Sequence, residues 1–314
     1  MIRKLYKIFV FGFIKLISLL PLKVLYILAA IITPVISSVI SYRKETIKEN
    51  LNNAFPDWDE KQIKKTMKAF YSYFAVMMVE SIKVLSMNLA SMEKHIKFQN
   101  PEIIKQYYKE GKSVIAISAH LGNWEWTHGL RNEIPHHCLI IYKPLSDKHF
   151  NNLITRARSK FNSSMVSMRE IPREFLRLKR EGIISLSGYI SDQSPIWDEV
   201  QYWTTFMNQN TPVYLGPEKL ARKMDTAVVY FRMKIISRGQ YEVEIVPITD
   251  QASKTKEHEI TEKHVKLLEA DIRKHPEYWL WTHRRWKLTK RREEQESQGI
   301  FRFEGQFRKK EGNG

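Results

Sequence analysis

The chain opens with a long apolar stretch that differs from everything after it. Val24–Tyr42 contains no charged residue over 19 positions, which is close to the length of a helix that crosses a bilayer. The segment before it, Leu5–Pro21, is apolar with isolated lysines, as in helices that lie in the lipid interface. Because Pro34 interrupts the run and no small-residue cleavage site follows, residues 1–45 are predicted to be a retained membrane anchor. Basic residues flank both sides, so a spanning helix and an in-plane hairpin both stay open.

Beyond the anchor, the spacing of apolar residues predicts a long amphipathic helix. Asp59 is its predicted N-cap, because Gln62 follows three residues later as the second half of a capping box. An apolar stripe at helical spacing is typical of core packing, and a lining for an acyl chain is the alternative. The stripe consists of Ile63, Met67, Phe70, Phe74, Met77 and Met78.

From about Lys112 onward, apolar runs of strand length alternate with helical segments. The predicted strands are "KSVIAIS", "GIISLSGYIS", "TAVVYFRM" and "YEVEIVPI", and the predicted helices include "GPEKLARKM" and "EITEKHVKLLEADIRK". This alternation predicts an α/β fold with a sheet flanked by helices, in which ligands bind at the carboxyl ends of strands. His120 and Asp192 each follow such an end directly. We predict one domain over residues 46–290 and a basic, flexible tail over residues 291–314.

The charge balance narrows the class of partner. The chain has 51 Lys and Arg against 34 Asp and Glu, a formal net charge of +17, which favours nucleic acid, an anionic membrane surface or an acidic protein as partner. A nucleic-acid-binding protein would not need the apolar amino terminus, so that class is the weaker alternative. The single cysteine, Cys138, excludes an internal disulfide, and "HHC" lacks the companion cysteines of a zinc site, so we expect no metal.

The candidate chemistry is a histidine followed five positions later by a glutamate. Three such pairs occur where roughly one is expected by chance, so the spacing alone selects none of them. Only His120–Glu125 directly follows an apolar strand. His128–Glu133 has no strand before it. His264–Glu269 lies in a charged helix and is predicted to be solvated. A histidine beside a carboxylate is a general base. Because no Gly-x-Ser-x-Gly motif is present, the pair is predicted to activate a hydroxyl or amine of the substrate itself.

Around this pair the chain resembles a known family. "AHLGNWEW" is similar to the His-x4-Asp/Glu block of membrane-bound glycerolipid acyltransferases, and more narrowly of lipid A biosynthesis acyltransferases that add lauroyl or myristoyl chains. The resemblance continues, in order, in "ENLNNAFPDW", "IYKPLSDKHFNNLITRARSKF", "YISDQSP" and "HPEYWLWTHRRWK", and it covers about residues 1–288. One departure is "FMNQNTP" where the family has a Phe-Phe-Gly turn. There Asn208 or Asn210 is predicted to supply the left-handed backbone.

The resemblance implies a mixed sheet like that of the glycerolipid acyltransferases, and a reaction. His120 would deprotonate a hydroxyl of the acceptor lipid, with Glu125 orienting His120 and balancing its charge. The resulting oxygen would attack the thioester of an acyl donor carried by acyl carrier protein or coenzyme A. The acceptor would be a lipid A precursor, at the cytoplasmic face of the bacterial inner membrane. Neither a metal nor another cofactor is expected, and an alternative acceptor is a lysophospholipid, an amino-acid lipid or a glycolipid.

The resemblance also implies residues that bind the substrates. Arg158 is expected to stabilise the oxyanion or to bind a phosphate of the acceptor, and these two roles stay open. Arg156 lies in the same block, and Asp192 is expected in the same pocket, with a turn-capping role as its alternative. Asn123 is expected to shape the turn after the strand and to contribute to substrate binding.

Overall fold

The computed structural model describes residues 2–142, 144, 155, 158, 160–161 and 163–298 of the 314. The expected site residue Arg156 lies outside the described residues, as do Lys143 of the same block and residues 299–314 of the predicted tail. All structural statements below concern the described part of the chain.

A seven-stranded mixed sheet organises the fold. The strands in chain order are β1 (Ile96–Gln99), β2 (Val114–Ser118), β3 (His137–Tyr142), β4 (Ser164–Ser167), β5 (Ser185–Ile190), β6 (Tyr202–Phe206), β7 (Gln209–Val213), β8 (Ala227–Ser237) and β9 (Gln240–Thr249). The large sheet has the order β1-β9-β8-β2-β5-β3-β4, with every neighbouring pair parallel except β8 and β9, while β6 and β7 form a separate antiparallel hairpin. Val114–Ile117 are buried throughout, because β2 is the central strand and both of its faces are covered.

Helices account for most of the remaining regular structure. They are α1 (Ile2–Leu19), α2 (Leu22–Pro34), α3 (Lys44–Ala54), α4 (Glu60–Lys83), α5 (Leu89–Glu93), α6 (Pro101–Lys109), α7 (Ile171–Arg180), α8 (Gly216–Met224), α9 (Glu259–Lys274) and α10 (Lys287–Ser297). A 3-10 helix, Trp124–Asn132, follows the turn after β2. Because α10 ends at Ser297, helical structure continues into the segment predicted to be a flexible tail.

The predicted helix after the anchor is confirmed at its amino end. Asp59 accepts a hydrogen bond from the backbone N–H of Gln62 at 2.7 Å, and the Gln62 side chain accepts one from the backbone N–H of Asp59 at 2.9 Å, which completes the capping box. The predicted stripe is buried on α4 apart from Met78, which is 40% exposed. The stripe is therefore core packing.

The strand predictions are confirmed and one surface prediction is wrong. The four predicted strands correspond to β2, β5, β8 and β9, and both predicted helices are present as α8 and α9. His264, expected on a solvated face of α9, is only 4% exposed. Burial lowers its pKa to about 4, so the ring is neutral at physiological pH. Its partner in the spacing pattern, Glu269, instead accepts hydrogen bonds from Arg273 and from the backbone of Met207.

The amino-terminal helices leave apolar surface uncovered. Leu22–Val39 consists of α2 and the short π-helical turn that continues it, and its length and composition would allow it to cross a membrane. Leu25 and Ala29 are buried in the core, and α2 packs against α4. The opposite face is exposed, as is one side of α1. The exposed apolar residues are Phe9, Phe13, Leu16, Leu19, Val24, Ile27, Ile31, Val35 and Val39. Such a surface is typical of contact with a membrane or another protein.

Candidate active site

Two adjacent strand ends bring His120 together with Asp192. β2 and β5 are parallel neighbours in which Ser118 pairs with Ile190, and the two side chains each follow two residues later. Nδ1 of His120 lies 2.7 Å from Oδ1 of Asp192, and the backbone N–H of His120 donates to Oδ2 at 3.0 Å. The indole N–H of Trp279 donates to the same Oδ2 at 2.8 Å. The Asp192 carboxylate is therefore buried but fully hydrogen-bonded.

These contacts fix the charge of Asp192 and the tautomer of His120. Burial by itself would raise the pKa of Asp192, but the charge and hydrogen bonds of His120 and the bond from Trp279 lower it to about 2. An ionised carboxylate only accepts, so Nδ1 of the neutral imidazole carries the proton and Nε2 carries the lone pair. Nε2 lies 3.5 Å from the side-chain nitrogen of Gln193. His120 can thus accept a proton through Nε2.

The expected pairing of Glu125 with His120 is not what the structure contains. The carboxylate on Nδ1 is Asp192, whereas Glu125 accepts a two-pronged bond from Arg158: Nε donates to Oε2 at 3.0 Å and Nη2 donates to Oε1. Burial would raise the pKa of Glu125, but the adjacent Arg158 charge outweighs it and lowers the pKa. The physical reason is local: the 3-10 helix begins at Trp124, directly after the turn, and carries Glu125 to a small cavity that Arg158 also lines.

His120 and Arg158 both line a large cleft. Its volume is about 770 Å³, within the roughly 300–1,000 Å³ usual for ligand sites. A cavity of about 110 Å³ adjoins it and shares Trp124, Ile141, Arg158 and Ile190 with it as lining. The cleft lining is mainly apolar and aromatic: Trp124, Ile141, Tyr142, Pro144, Met168, Ile171, Pro172, Tyr189, Ile190, Tyr214, Pro217 and Leu220. Such a surface fits a substrate that is largely hydrocarbon.

The turn that carries His120 is held by the carboxyl-terminal Trp-rich segment. The His120 carbonyl accepts from the backbone N–H of Leu280 at 3.1 Å, and Gly122 donates to the Tyr278 carbonyl at 3.2 Å. The same segment supplies Trp279, whose bond to Asp192 sequence reasoning did not identify. One short stretch of chain therefore fixes both members of the His120–Asp192 pair.

Two further segments that resemble the family form hydrogen bonds with the carboxyl-terminal Trp-rich segment. Asn50 of α3 donates to the carbonyls of Trp281 and His283 at 2.8 and 2.7 Å. Nε2 of His283 accepts from the backbone N–H of Ser194 at 3.1 Å, just after Asp192. Burial and the nearby Arg285 lower the pKa of His283 to about 4, so it accepts this bond as a neutral ring. The segments lie far apart in sequence but meet around one site.

Asn123 has a different place from the one expected. Its side chain is buried and donates to Oε2 of Glu80 at 2.8 Å, and it is not among the described residues that line the cleft. The Asn123 side chain therefore contacts Glu80 and not the described lining of the cleft. No group of three or more His, Cys, Asp or Glu side chains in the described residues is placed to hold a metal ion.

Gly122 provides a test of how tightly the turn is packed. Its φ is +68°, and a Cβ there would lie 2.3 Å from Cγ of the buried Met233. Gly122→Ala is expected to lower the free energy of unfolding by about 2–5 kcal/mol through left-handed strain plus overpacking. The matched control is Gly182→Ala, with the same φ of +68° and no atom of the described residues within 4 Å of the added Cβ, which should cost about 1–2 kcal/mol. Thermal unfolding in detergent compares them, and equal losses would contradict the packing of the turn.

The fold and the site together define a class. A histidine, bound through Nδ1 to a buried carboxylate at the carboxyl ends of parallel strands, opens onto an apolar cleft, as in an enzyme that removes a proton from a lipid-like substrate.

Comparison with known proteins identifies the family. The model of the bacterial lipid A biosynthesis acyltransferases matches residues 1–288, so the chain belongs to this family and is an acyltransferase. It is also similar to a lipid A biosynthesis acyltransferase of Haemophilus influenzae, with 24% identity over 244 residues that cover 74% of this chain and 72% of that protein. The resemblance read from the sequence motifs is confirmed.

Proposed function

We propose that this protein transfers a fatty acyl chain from an acyl thioester, with acyl carrier protein as the donor, to a hydroxyl of a lipid A precursor. The observation that carries the proposal is the His120–Asp192 pair at the edge of an apolar cleft, in a chain of this family. Proton removal and hydrocarbon binding are the two requirements of such a transfer, and the cleft combines them.

The proposed reaction begins at Nε2 of His120. This nitrogen takes the proton of the acceptor hydroxyl as its oxygen attacks the thioester carbonyl, and ionised Asp192 stabilises the imidazolium that forms. The tetrahedral intermediate collapses with cleavage of the C–S bond. The imidazolium returns its proton to the departing thiolate, so the products are an ester and a free thiol. No residue of the protein forms a covalent intermediate.

Arg158 is proposed to meet the negative charge in this cleft. It lines the cleft together with His120, and Glu125 holds its guanidinium from the adjoining cavity. The charge that it binds is either the oxyanion of the tetrahedral intermediate or a phosphate of the acceptor. Glu125 then acts through Arg158 rather than through His120.

Membrane attachment at the cytoplasmic face is part of the same proposal. The uncovered apolar faces of α1 and α2 would contact lipid, and the net charge of +17 favours an anionic leaflet and an acidic carrier protein. We expect the protein to stay in the membrane fraction in 1 M salt and to be released by detergent, since apolar burial is insensitive to screening. Release by salt alone would contradict the anchor and favour a basic peripheral protein.

The acceptor is tested by a transfer assay with the purified protein in detergent. Lauroyl-acyl carrier protein is supplied with a lipid A precursor or with a lysophospholipid, and the products are identified by mass spectrometry. The proposal requires an added acyl group on the lipid A precursor. Acylation of the lysophospholipid alone would replace the lipid A precursor with the alternative acceptor. If neither acceptor is acylated from lauroyl-acyl carrier protein but the enzyme is active with lauroyl-coenzyme A, acyl carrier protein is not the donor.

A further inference from the structure

A buried carboxylate behind the His120 turn is not used by the proposed reaction. Glu80, near the carboxyl end of α4, is fully buried. Its Oε1 accepts from the Tyr26 hydroxyl at 2.9 Å. Its Oε2 accepts from the Asn123 side chain at 2.8 Å and from the Tyr241 hydroxyl at 2.5 Å. Glu80 forms no ion pair among the described residues, so three neutral donors satisfy this acid.

Burying the Glu80 carboxyl group costs free energy that filling the same space with an apolar side chain would not. Burial raises the pKa of Glu80, because removing a carboxylate from water disfavours its charged form. An apolar side chain of similar size would fill the same space without that penalty. What an apolar side chain lacks is the ability to accept three hydrogen bonds from three separate elements.

Those three elements are the ones whose relative placement matters for the site. Tyr26 belongs to α2, the apolar amino-terminal helix, and its hydroxyl also packs on the backbone of Gly239, where an added Cβ would lie 2.1 Å away. Tyr241 lies near the start of β9. Asn123 lies in the turn between His120 and Glu125, and Oδ1 of its amide has no hydrogen-bond partner in the part of the chain that the structure describes. The bond to Glu80 is therefore what orients the Asn123 side chain.

We propose that Glu80 is a positioning residue, which fixes the turn between His120 and Glu125 through Asn123 and joins that turn to α2 through Tyr26. The backbone of the turn is held on one side by Tyr278 and Leu280, and Glu80 holds the Asn123 side chain. The Glu80 carboxylate thereby fixes the orientation of His120 relative to α2, the helix expected to contact the membrane. The consequence for catalysis rests on the proposed function.

Glu80→Gln is the test variant, because it keeps the size of the side chain but leaves one acceptor oxygen and adds an N–H₂ group facing donors. We expect kcat for transfer from lauroyl-acyl carrier protein to a lipid A precursor to fall by about 10- to 100-fold, since small misplacements of a base are costly. KM for both substrates should stay within about twofold, because the cleft lining is unchanged. Hydrogen exchange of residues 120–126 should become faster.

The matched control is Tyr73→Phe. Tyr73 lies on the same helix and its buried hydroxyl has no hydrogen-bond partner among the described residues, so its removal should leave both kcat and the exchange of residues 120–126 unchanged. Tyr26→Phe and Asn123→Ala each cut one bond to Glu80, and they remain informative if Glu80→Gln does not fold. Asn123→Ala should reproduce the loss of kcat, and Tyr26→Phe should show a smaller loss of the same kind.

The outcomes separate this inference from the proposed function. Unchanged exchange in residues 120–126 of Glu80→Gln, or a kcat loss no larger than its loss of folded protein, would overturn the positioning role. If the wild-type enzyme adds no acyl group to the lipid A precursor in the same assay, the proposed function fails instead, while the exchange measurement still decides whether Glu80 holds the turn.

Discussion

Replacing His120 by glutamine is expected to lower kcat for acyl transfer by about 10²- to 10⁴-fold, the usual contribution of a general base. The hydrogen bond at 2.7 Å from Nδ1 is lost, because a glutamine amide lies one bond further from Cβ, but Asp192 keeps its bonds from the backbone N–H of residue 120 and from Trp279, so the fold should persist. The variant has no group that can take a proton at the position of Nε2. The measurement is kcat at saturating donor and acceptor, with thermal unfolding recorded in parallel.

The control for this prediction is a histidine outside the site. His275, with 53% of its side chain exposed, lies at the carboxyl end of α9, and His275→Gln should leave kcat within about twofold, as is usual for surface changes. A His120→Gln enzyme with more than a tenth of the wild-type kcat would contradict the assignment of His120 as the base.

The second large effect is expected at Asp192. An asparagine there would present an N–H₂ group to Nδ1 of His120, and that ring nitrogen would then accept rather than donate. Nε2 would carry the proton and lose its ability to act as a base, so Asp192→Asn should lower kcat by about 10²- to 10⁴-fold. Because the pKa of Asp192 is lowered to about 2, the wild-type carboxylate stays ionised throughout the neutral range and this loss should not depend on pH there.

Glu125→Gln distinguishes the two carboxylates in the same assay. Glutamine can still accept one bond from Arg158, so we expect a smaller loss of kcat, of about tenfold or less, from a less firmly held guanidinium. The pairing read from the sequence, with Glu125 on His120, requires the reverse order of effects. If Glu125→Gln alters kcat more than Asp192→Asn does, Asp192 is not the carboxylate that orients the base during turnover.

The choice between these carboxylates shows where the sequence stops being informative. The apolar strands ending at Ser118 and Ile190 were predictable, and so was the position of His120 and Asp192 just beyond them. Their contact depends on β2 and β5 being neighbours in register, which is a non-local property of the sheet. The spacing pattern instead suggested Glu125, whose partner Arg158 lies 33 residues away.

Elsewhere, predictions from local sequence signals were correct, whereas predictions of the surroundings of individual side chains were not. The capping box at Asp59 needs only four consecutive residues, and it is present. Asn208 adopts the left-handed conformation expected for the hairpin that replaces the Phe-Phe-Gly turn, with φ of 62°, although Met207 before it does so as well, with φ of 51°. The burial of His264 depends on which face of α9 meets the sheet, so a charged helix alone predicted it wrongly. The buried bond between Asn123 and Glu80 joins residues 43 positions apart.

The most direct test of His120 as the base of acyl transfer to lipid A is made in the cell. Lipid A and total lipids from cells that lack the gene are compared by mass spectrometry after the gene is restored as wild type or as His120→Gln at equal protein levels. We predict that the wild-type gene restores one acyl chain to lipid A and that His120→Gln does not. Full restoration by His120→Gln, or a change confined to phospholipids or amino lipids, would contradict the proposed base or the proposed acceptor, respectively.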